Sequence, residues 1–382
     1  MKMTGSQRSL YLLALILLLI AVALACAWTF WGGERAASDA VVTPAPSASG
    51  MPSPSTPIVP VPTQESAATN ADASGTNSAG GDGAKAATMS TVVYYQDNYG
   101  YLVPVMCTLP YEDGVAKATL NRMIQSPEND MQAARLGLKT VLPEGTTIDL
   151  DISDGLARID LGKEVLNMAD AAAESNMIAA IVQALTEFES VERVEFLVGG
   201  QKLDKLTHGT DISGTFERGE INLETSVSTI NSGELKPVTL YFPCESSSVV
   251  VPVTRMVYAN ADVNTAVLEL AKGPSTQSPL ESALPAGCGL IDVQVVDGVA
   301  KVNFTKEFAN LVENSDGGRL ALKALVLTCT QFDGVNSVQI LVEGEPYDPG
   351  QGTLSVPSFA NVADEIANDY IQTQANMIFN YD

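Results

Sequence analysis

From about residue 91 the chain alternates runs of period-two hydrophobicity with runs of helical spacing, and the whole series occurs twice. Residues 91–95 and 101–107 are β-branched and aromatic runs on either side of Asp97-Asn98-Tyr99-Gly100. Asn and Gly tolerate positive φ, so the pattern predicts a hairpin. Residues 114–126 set Val115, Ala118, Leu120, Met123 and Ile124 at near-helical spacing, and Pro127 predicts the end of that helix. Residues 147–152 and 156–161 alternate apolar and polar side chains around Ser153-Asp154-Gly155, which reads as a second hairpin. Over 175–188, Met177, Ile178, Ile181, Val182, Leu185 and Phe188 form one apolar stripe, and 194–198 closes the unit as a strand. The predicted unit is β-hairpin, α, β-hairpin, α, β. Its class is α+β, a small mixed sheet with both helices packed on one face.

The duplication is explicit in the letters. GLARIDL at 155–161 returns as GVAKVNF at 298–304, and ALTEFESVERVEFLVGG at 184–200 returns as TCTQFDGVNSVQILVEG at 328–344. Lys163-Glu164 returns as Lys306-Glu307, and LVPV at 102–105 as VVPV at 250–253. The second copy runs over 238–342, with helices expected near 263–272 and 318–332. We therefore divide the chain into a first domain at 91–214, a linker at 215–235, a second domain at 236–360 and a tail at 361–382. Each copy carries its own apolar set, so fragments 91–214 and 236–359 are each expected to unfold cooperatively.

The residues before the repeats read differently. Lys2 and Arg8 precede an uncharged Leu-, Ala- and Ile-rich stretch at 9–33, long enough to cross about 30 Å of hydrocarbon as a helix. The basic residues hold 1–8 in the cytoplasm, while Trp28, Phe30 and Trp31 lie where interfacial aromatics belong. The repeats are then extracytoplasmic. Two anchor chemistries compete here: an uncleaved transmembrane helix, or signal cleavage with lipidation of Cys26, since Val22-Ala23-Leu24-Ala25 before it reads as a permissive lipobox. Residues 34–90 are rich in Pro, Ser, Ala and Thr and cannot bury enough apolar surface to offset their ordering entropy, so a disordered spacer is expected.

Charge and candidate chemistry narrow the function. The 382 residues hold 45 acidic against 21 basic side chains, and a net charge of −24 excludes nucleic acid as a partner by repulsion from its phosphates. Beyond the anchor, Cys107, Cys244, Cys288 and Cys329 form no CxxC and no spacing that suits a metal, and Cys329 falls in an apolar helical run, as a buried thiol does. His208 is the chain's single histidine, placed after the first closing strand with no nucleophile motif beside it, and reads as a loop residue. Asp149, Asp151 and Asp154 alternate along one strand; we read them as the solvated face of a hairpin, with Ile291, Val293 and Val296 or Asp297 as their counterparts. Lys163-Glu164 and Lys306-Glu307 read as charged starts of short helices, and Gly199-Gly200 and Gly344 as turns without nucleotide-binding context. No catalytic residue, cofactor or metal site is expected.

The segments 184–200 and 328–344, each with a helix end, a Phe, a turn and a Val-rich strand ending at Gly, resemble the GerMN domain. Leu142-Pro143-Glu144-Gly145 and Leu284-Pro285-Ala286-Gly287 are similar to that family's Leu-Pro-x-Gly turn, and Gly273-Pro274 to its Gly-Pro. The first copy departs at that point, with Gln125-Ser126-Pro127. The resemblance spans about 91–359. It implies a surface-anchored protein of sporulation and spore germination, related in fold to ring-building envelope domains, whose partners are envelope proteins of a sporulation complex or further copies of itself. The resemblance carries no catalytic residue. A non-enzymatic scaffold is the expected role, and the competing reading is a glycan-binding protein or peptidoglycan hydrolase of the cell wall.

Overall fold

A computed structural model describes residues 87–111, 114–224, 234–244, 248–311, 316–347 and 353–367. The expected cytoplasmic stretch, the anchor with Cys26, the spacer up to residue 86 and the tail beyond 367 lie outside the described residues. Among the described residues no helix is long and apolar enough to cross a membrane.

In the first repeat, β1 (Thr88–Gln96) pairs antiparallel with β2 (Leu102–Pro110), from Thr88 opposite Pro110 to Gln96 opposite Leu102. Their turn is fastened by Asp97 Oδ1, which accepts the N–H groups of Tyr99 and Tyr101 at 2.8 Å each. Two helices follow where one was predicted: α1 (Val115–Arg122) and α2 (Pro127–Arg135). Pro127 starts α2 instead of only ending α1. Ser126 is the N-cap, its hydroxyl accepting Asn129 N–H at 3.2 Å, and proline's fixed φ suits the first helical position, where no N–H is needed.

Next come β3 (Ile148–Ser153), β4 (Gly155–Leu161), α3 (Ala171–Leu185), β5 (Val191–Val198) and β6 (Thr215–Glu217). The β3–β4 turn has Asp154 at φ 51° and Gly155 at φ 75°, the two positive values that a two-residue hairpin turn requires. The sheet runs β3-β4-β5-β6. Strands β4 and β5 are parallel because α3 crosses between them, while the outer pairings are antiparallel.

The second repeat has β7 (Lys236–Pro243), β8 (Val250–Val257), α4 (Val263–Ala271), β9 (Leu290–Val296), β10 (Val299–Phe304), α5 (Asp316–Thr330), β11 (Ser337–Val342), β12 (Glu345–Pro346) and β13 (Thr353–Ser355). Its sheet order is β12-β11-β10-β9, with β13 also on β11, and Asp297 and Gly298 repeat the positive-φ turn.

The class is α+β as predicted, but the first hairpin of each repeat does not join its sheet. The β1–β2 and β7–β8 pairs are separate two-stranded sheets. Helix α3 touches both β1 and β5, and α5 touches both β7 and β11, so each long helix lies between a hairpin and a sheet. Burial around α3 explains the arrangement. Met177, Ile178, Ala180, Ile181, Val182, Ala184 and Leu185 are all buried, a wider band than one contact face needs, so the helix has to be covered from two sides. Helix α5 and Gln331 just beyond its end also satisfy the β7 edge directly. Thr239 N–H donates to Gln331 Oε1 at 3.0 Å, Gln331 Nε2 donates back to Thr239 O at 2.6 Å, and Tyr241 N–H donates to Thr328 Oγ1 at 3.2 Å.

Candidate functional surface

After its closing strand each repeat adds strand to the outside of its sheet, β6 in the first and β12 and β13 in the second, and then delivers an asparagine to the boundary between the repeats. Asn222 accepts Leu102 N–H at 2.8 Å and donates to Leu102 O at 2.8 Å and Pro252 O at 2.7 Å. Asn361 does the same with the roles of the repeats exchanged: it accepts Val250 N–H at 2.9 Å and donates to Val250 O at 2.9 Å and Pro104 O at 3.0 Å. The partners are the paired LVPV and VVPV motifs, so the two asparagines are related as the repeats are. Proline lacks an N–H, and at Pro104 and Pro252 only a carbonyl needs a partner; the amide of an asparagine supplies it.

The connector is fixed at further points. Arg218 Nη2 donates to Glu187 Oε1 at 2.7 Å and to Tyr94 Oη at 3.1 Å, and Gln183 Nε2 donates to Gly219 O at 2.7 Å. Glu224 then meets Arg255 on β8. The Arg255 guanidinium bonds Glu224 Oε2 at 2.7 Å, Glu269 Oε2 at 3.3 Å, and the carbonyls of Glu269 and Gly273. All three side chains are largely buried, at 14, 10 and 15% exposure.

The residues singled out in the sequence fall elsewhere and are not brought together. His208 is exposed in a turn, its ring Nε2 2.8 Å from Met168 O and its backbone N–H donating to Glu174 Oε1 at 2.8 Å. Glu174, fully buried in the first turns of α3, also accepts Thr210 N–H at 3.3 Å. Burial alone would raise its carboxyl; the His208 and Thr210 donors more than offset this and hold it below the ordinary glutamate range. A depressed folded value stabilises the loop at neutral pH and loses that contribution as pH falls through it. Amide exchange at His208 and Thr210 is therefore expected to lose roughly tenfold in protection in Glu174→Ala, and to lose protection in the parent on acidification toward that folded value. Unchanged protection in both would show that the carboxylate does not hold this loop.

Asp149, Asp151 and Asp154 are exposed, on the solvent side as expected. Their counterparts are corrected by register: Asp149 lies opposite Asp160 and Asp292 lies opposite Asn303, so Asp292, not Ile291, matches Asp149, and Gln294 matches Asp151. The side chains of Asp160 and Asn303 confirm this, each accepting an N–H at 2.9 Å from Gly200 and Gly344 respectively. Lys163-Glu164 and Lys306-Glu307 open the short 3-10 helices Lys163–Asn167 and Lys306–Asn310. Gly199, Gly200 and Gly344 all have positive φ in turns. None of Cys107, Cys244, Cys288 and Cys329 is joined in a disulfide, and burial pushes the Cys329 thiol up to about 12.

The sheets expose their polar faces, with Arg158 and Lys202 both paired to Glu195 on the first. The free edge of the second sheet is different. Among the described residues strand β9 pairs only with β10, and Ile291, Val295 and Val296 on it are 48, 49 and 44% exposed. The matching edge of the first sheet, β3, carries one large exposed hydrophobic residue, Ile152 at 36%.

The family model described as Germane, sporulation and spore germination, matches residues 92–204 and 239–348, more than half of the chain. The chain belongs to the Germane family. It is 30% identical over 286 residues to the spore germination protein GerM of Bacillus subtilis strain 168, covering 71% of this chain and 77% of that protein. It is also similar to the solved tandem GerMN domains of the sporulation protein GerM from Bacillus subtilis, at TM-score 0.58 and 29% identity, covering 72% of this chain and 99% of that one. The two Germane matches fall one in each repeat. Asn222 and Asn361 lie outside both, which is why repeat matching did not find them; Arg255 lies inside, at a position where the first repeat has Cys107.

Proposed function

We propose that this Germane protein is a non-enzymatic scaffold of sporulation, anchored to the cell membrane with its repeats on the extracytoplasmic side, which binds an envelope protein by strand addition to β9. The observation that carries this reading is the β9 edge. Among the described residues no strand pairs with this edge, which presents backbone N–H and C=O groups beside an exposed apolar strip, on a protein whose net charge is −24. Such an edge is a template for another strand unless it is covered, and an extended segment of a partner satisfies its backbone while burying the valines. Membership of a sporulation and germination family supports sporulation as the stage at which to look for the partner.

Crosslinking of the full chain in intact sporulating cells tests the proposal. The parent is expected to capture one envelope protein reproducibly, and Ile291→Lys with Val295→Lys to reduce that capture by tenfold or more, because two lysines oppose strand addition at an edge. His208→Ala is expected to behave as the parent. In the same cells, fatty-acid labelling that depends on Cys26 identifies a lipid anchor, and label-free membrane retention identifies an uncleaved span. Capture unaffected by the lysines would sink the β9 assignment. Cleavage of peptidoglycan by the purified protein would sink the scaffold reading in favour of a hydrolase.

A further inference from the structure

The two halves of the repeat boundary are built alike but filled differently. In the alignment that pairs Leu102-Val103-Pro104-Val105 with Val250-Val251-Pro252-Val253, Cys107 takes the place of Arg255. In the alignment that pairs Asn222 with Asn361, Ala363 takes the place of Glu224. On the second-repeat side the long Arg255 side chain fills the space and closes on Glu224 and Glu269. On the first-repeat side both of those side chains are cut short, and a cavity of about 140 Å³ opens, lined by Cys107 and Ala363 among others.

The charges around this cavity are reversed. Where Glu224 and Glu269 surround a guanidinium in one half, Arg122, Arg135 and Gln132 line the other together with Asp364. Arg122 uses part of its donor set on Glu128 Oε1 at 3.3 Å and Asn129 Oδ1 at 3.1 Å, and a guanidinium has five N–H donors. Arg135 is exposed and meets no carboxylate within salt-bridge distance among the described residues. Asp364 accepts from Thr108 Oγ1 at 3.0 Å through one oxygen. Burial pushes the Cys107 thiol up to about 11, so it stays neutral and adds no charge of its own.

We propose that this cavity binds a small carboxylate that carries a hydrogen-bond-donating nitrogen beside it, as a free α-amino acid does. Guanidinium forks fit a carboxylate edge, and a donor on the adjacent carbon has Asp364 as an acceptor in the same lining. An anion without such a donor would face Asp364 unrewarded. The volume sets the size, since a cavity near 150 Å³ accommodates a molecule of about six heavy atoms, the size of alanine.

Titration calorimetry on the full-length protein in detergent tests the site with three probes: L-alanine, acetate and methylamine. L-alanine is expected to bind with a dissociation constant of roughly 10 µM to 1 mM, acetate more weakly, and methylamine not at all. Arg135→Gln, at an exposed position that leaves the fold intact, is expected to weaken L-alanine tenfold or more. Asp364→Asn is expected to weaken L-alanine while leaving acetate unchanged, and Cys107→Leu to abolish both by filling the space. Absence of L-alanine binding at about 10 mM, equal affinity in the parent and Arg135→Gln, or methylamine binding as well as L-alanine would each overturn the proposal.

Discussion

Arg255→Ala is expected to destabilise the folded protein by about 3–5 kcal/mol, the cost of leaving buried partners of a broken ion pair uncompensated. Glu224 and Glu269 are 10 and 15% exposed, and both would face the space vacated by the guanidinium with no other cation among the described residues within salt-bridge distance except Lys272 on Glu269. The Gly273 carbonyl loses its guanidinium donor as well, while that of Glu269 keeps the N–H of Lys272. Denaturant unfolding should show a midpoint shift with the slope unchanged, because the surface exposed on unfolding is the same. A compensating variant gives the result its meaning. Arg255→Met combined with Glu224→Leu and Glu269→Leu is expected to recover most of the loss, since an apolar cluster of similar volume replaces a buried ion network at little cost. A loss below about 1 kcal/mol for Arg255→Ala would show that water reaches the cluster and screens it.

The second large effect is expected at the asparagines. Asn361 is 1% exposed and holds three backbone groups of two hairpins, so Asn361→Ala removes three hydrogen bonds and strands their buried partners, for roughly 2–4 kcal/mol. Asn222→Ala, at a half-buried position, is expected to cost less. The double variant bears on domain independence. With both clamps present, each repeat's hairpin is tied to the chain that follows the other repeat, and we expect a single unfolding transition. With both removed, the separate cores are expected to unfold in two transitions. Fragments that end at residues 214 and 359 lack Asn222 and Asn361, so they test the repeats without their clamps; extending them to 224 and 367 restores the side chains but not the partner hairpin. A single transition of unchanged midpoint in the double variant would mean that the clamps contribute nothing to coupling.

Local pattern carried the repeat, the order of its main elements and both hairpin turns, because those depend on residues close together in the chain. Asp154-Gly155 and Asp297-Gly298 set the turns by their own φ preferences, and the alternation on β4 and β10 set which side chains face inward. Pro127 shows where local reading was incomplete. A proline ends one helix and starts another equally well, and the Ser126 hydroxyl bound to Asn129 decides for both. The register of β3 against β4 runs on from its two-residue turn without interruption, whereas that of β9 against β10 is shifted by one residue at the end far from the turn, where a bulge lies between Asn303 and Phe304.

What only the tertiary structure decided are the contacts between distant positions. The hairpins stand apart from the sheets because α3 and α5 need cover on two sides, a requirement that appears only once burial is known. Asn222 meets Leu102, and Asn361 meets Pro104 and Val250, across separations that no periodicity encodes. The cavity beside Cys107 has the same origin: cysteine, alanine and two arginines are unremarkable in sequence, and they define a charged space only because the fold gathers them at the repeat boundary, where Cys107 and Ala363 stand in place of Arg255 and Glu224.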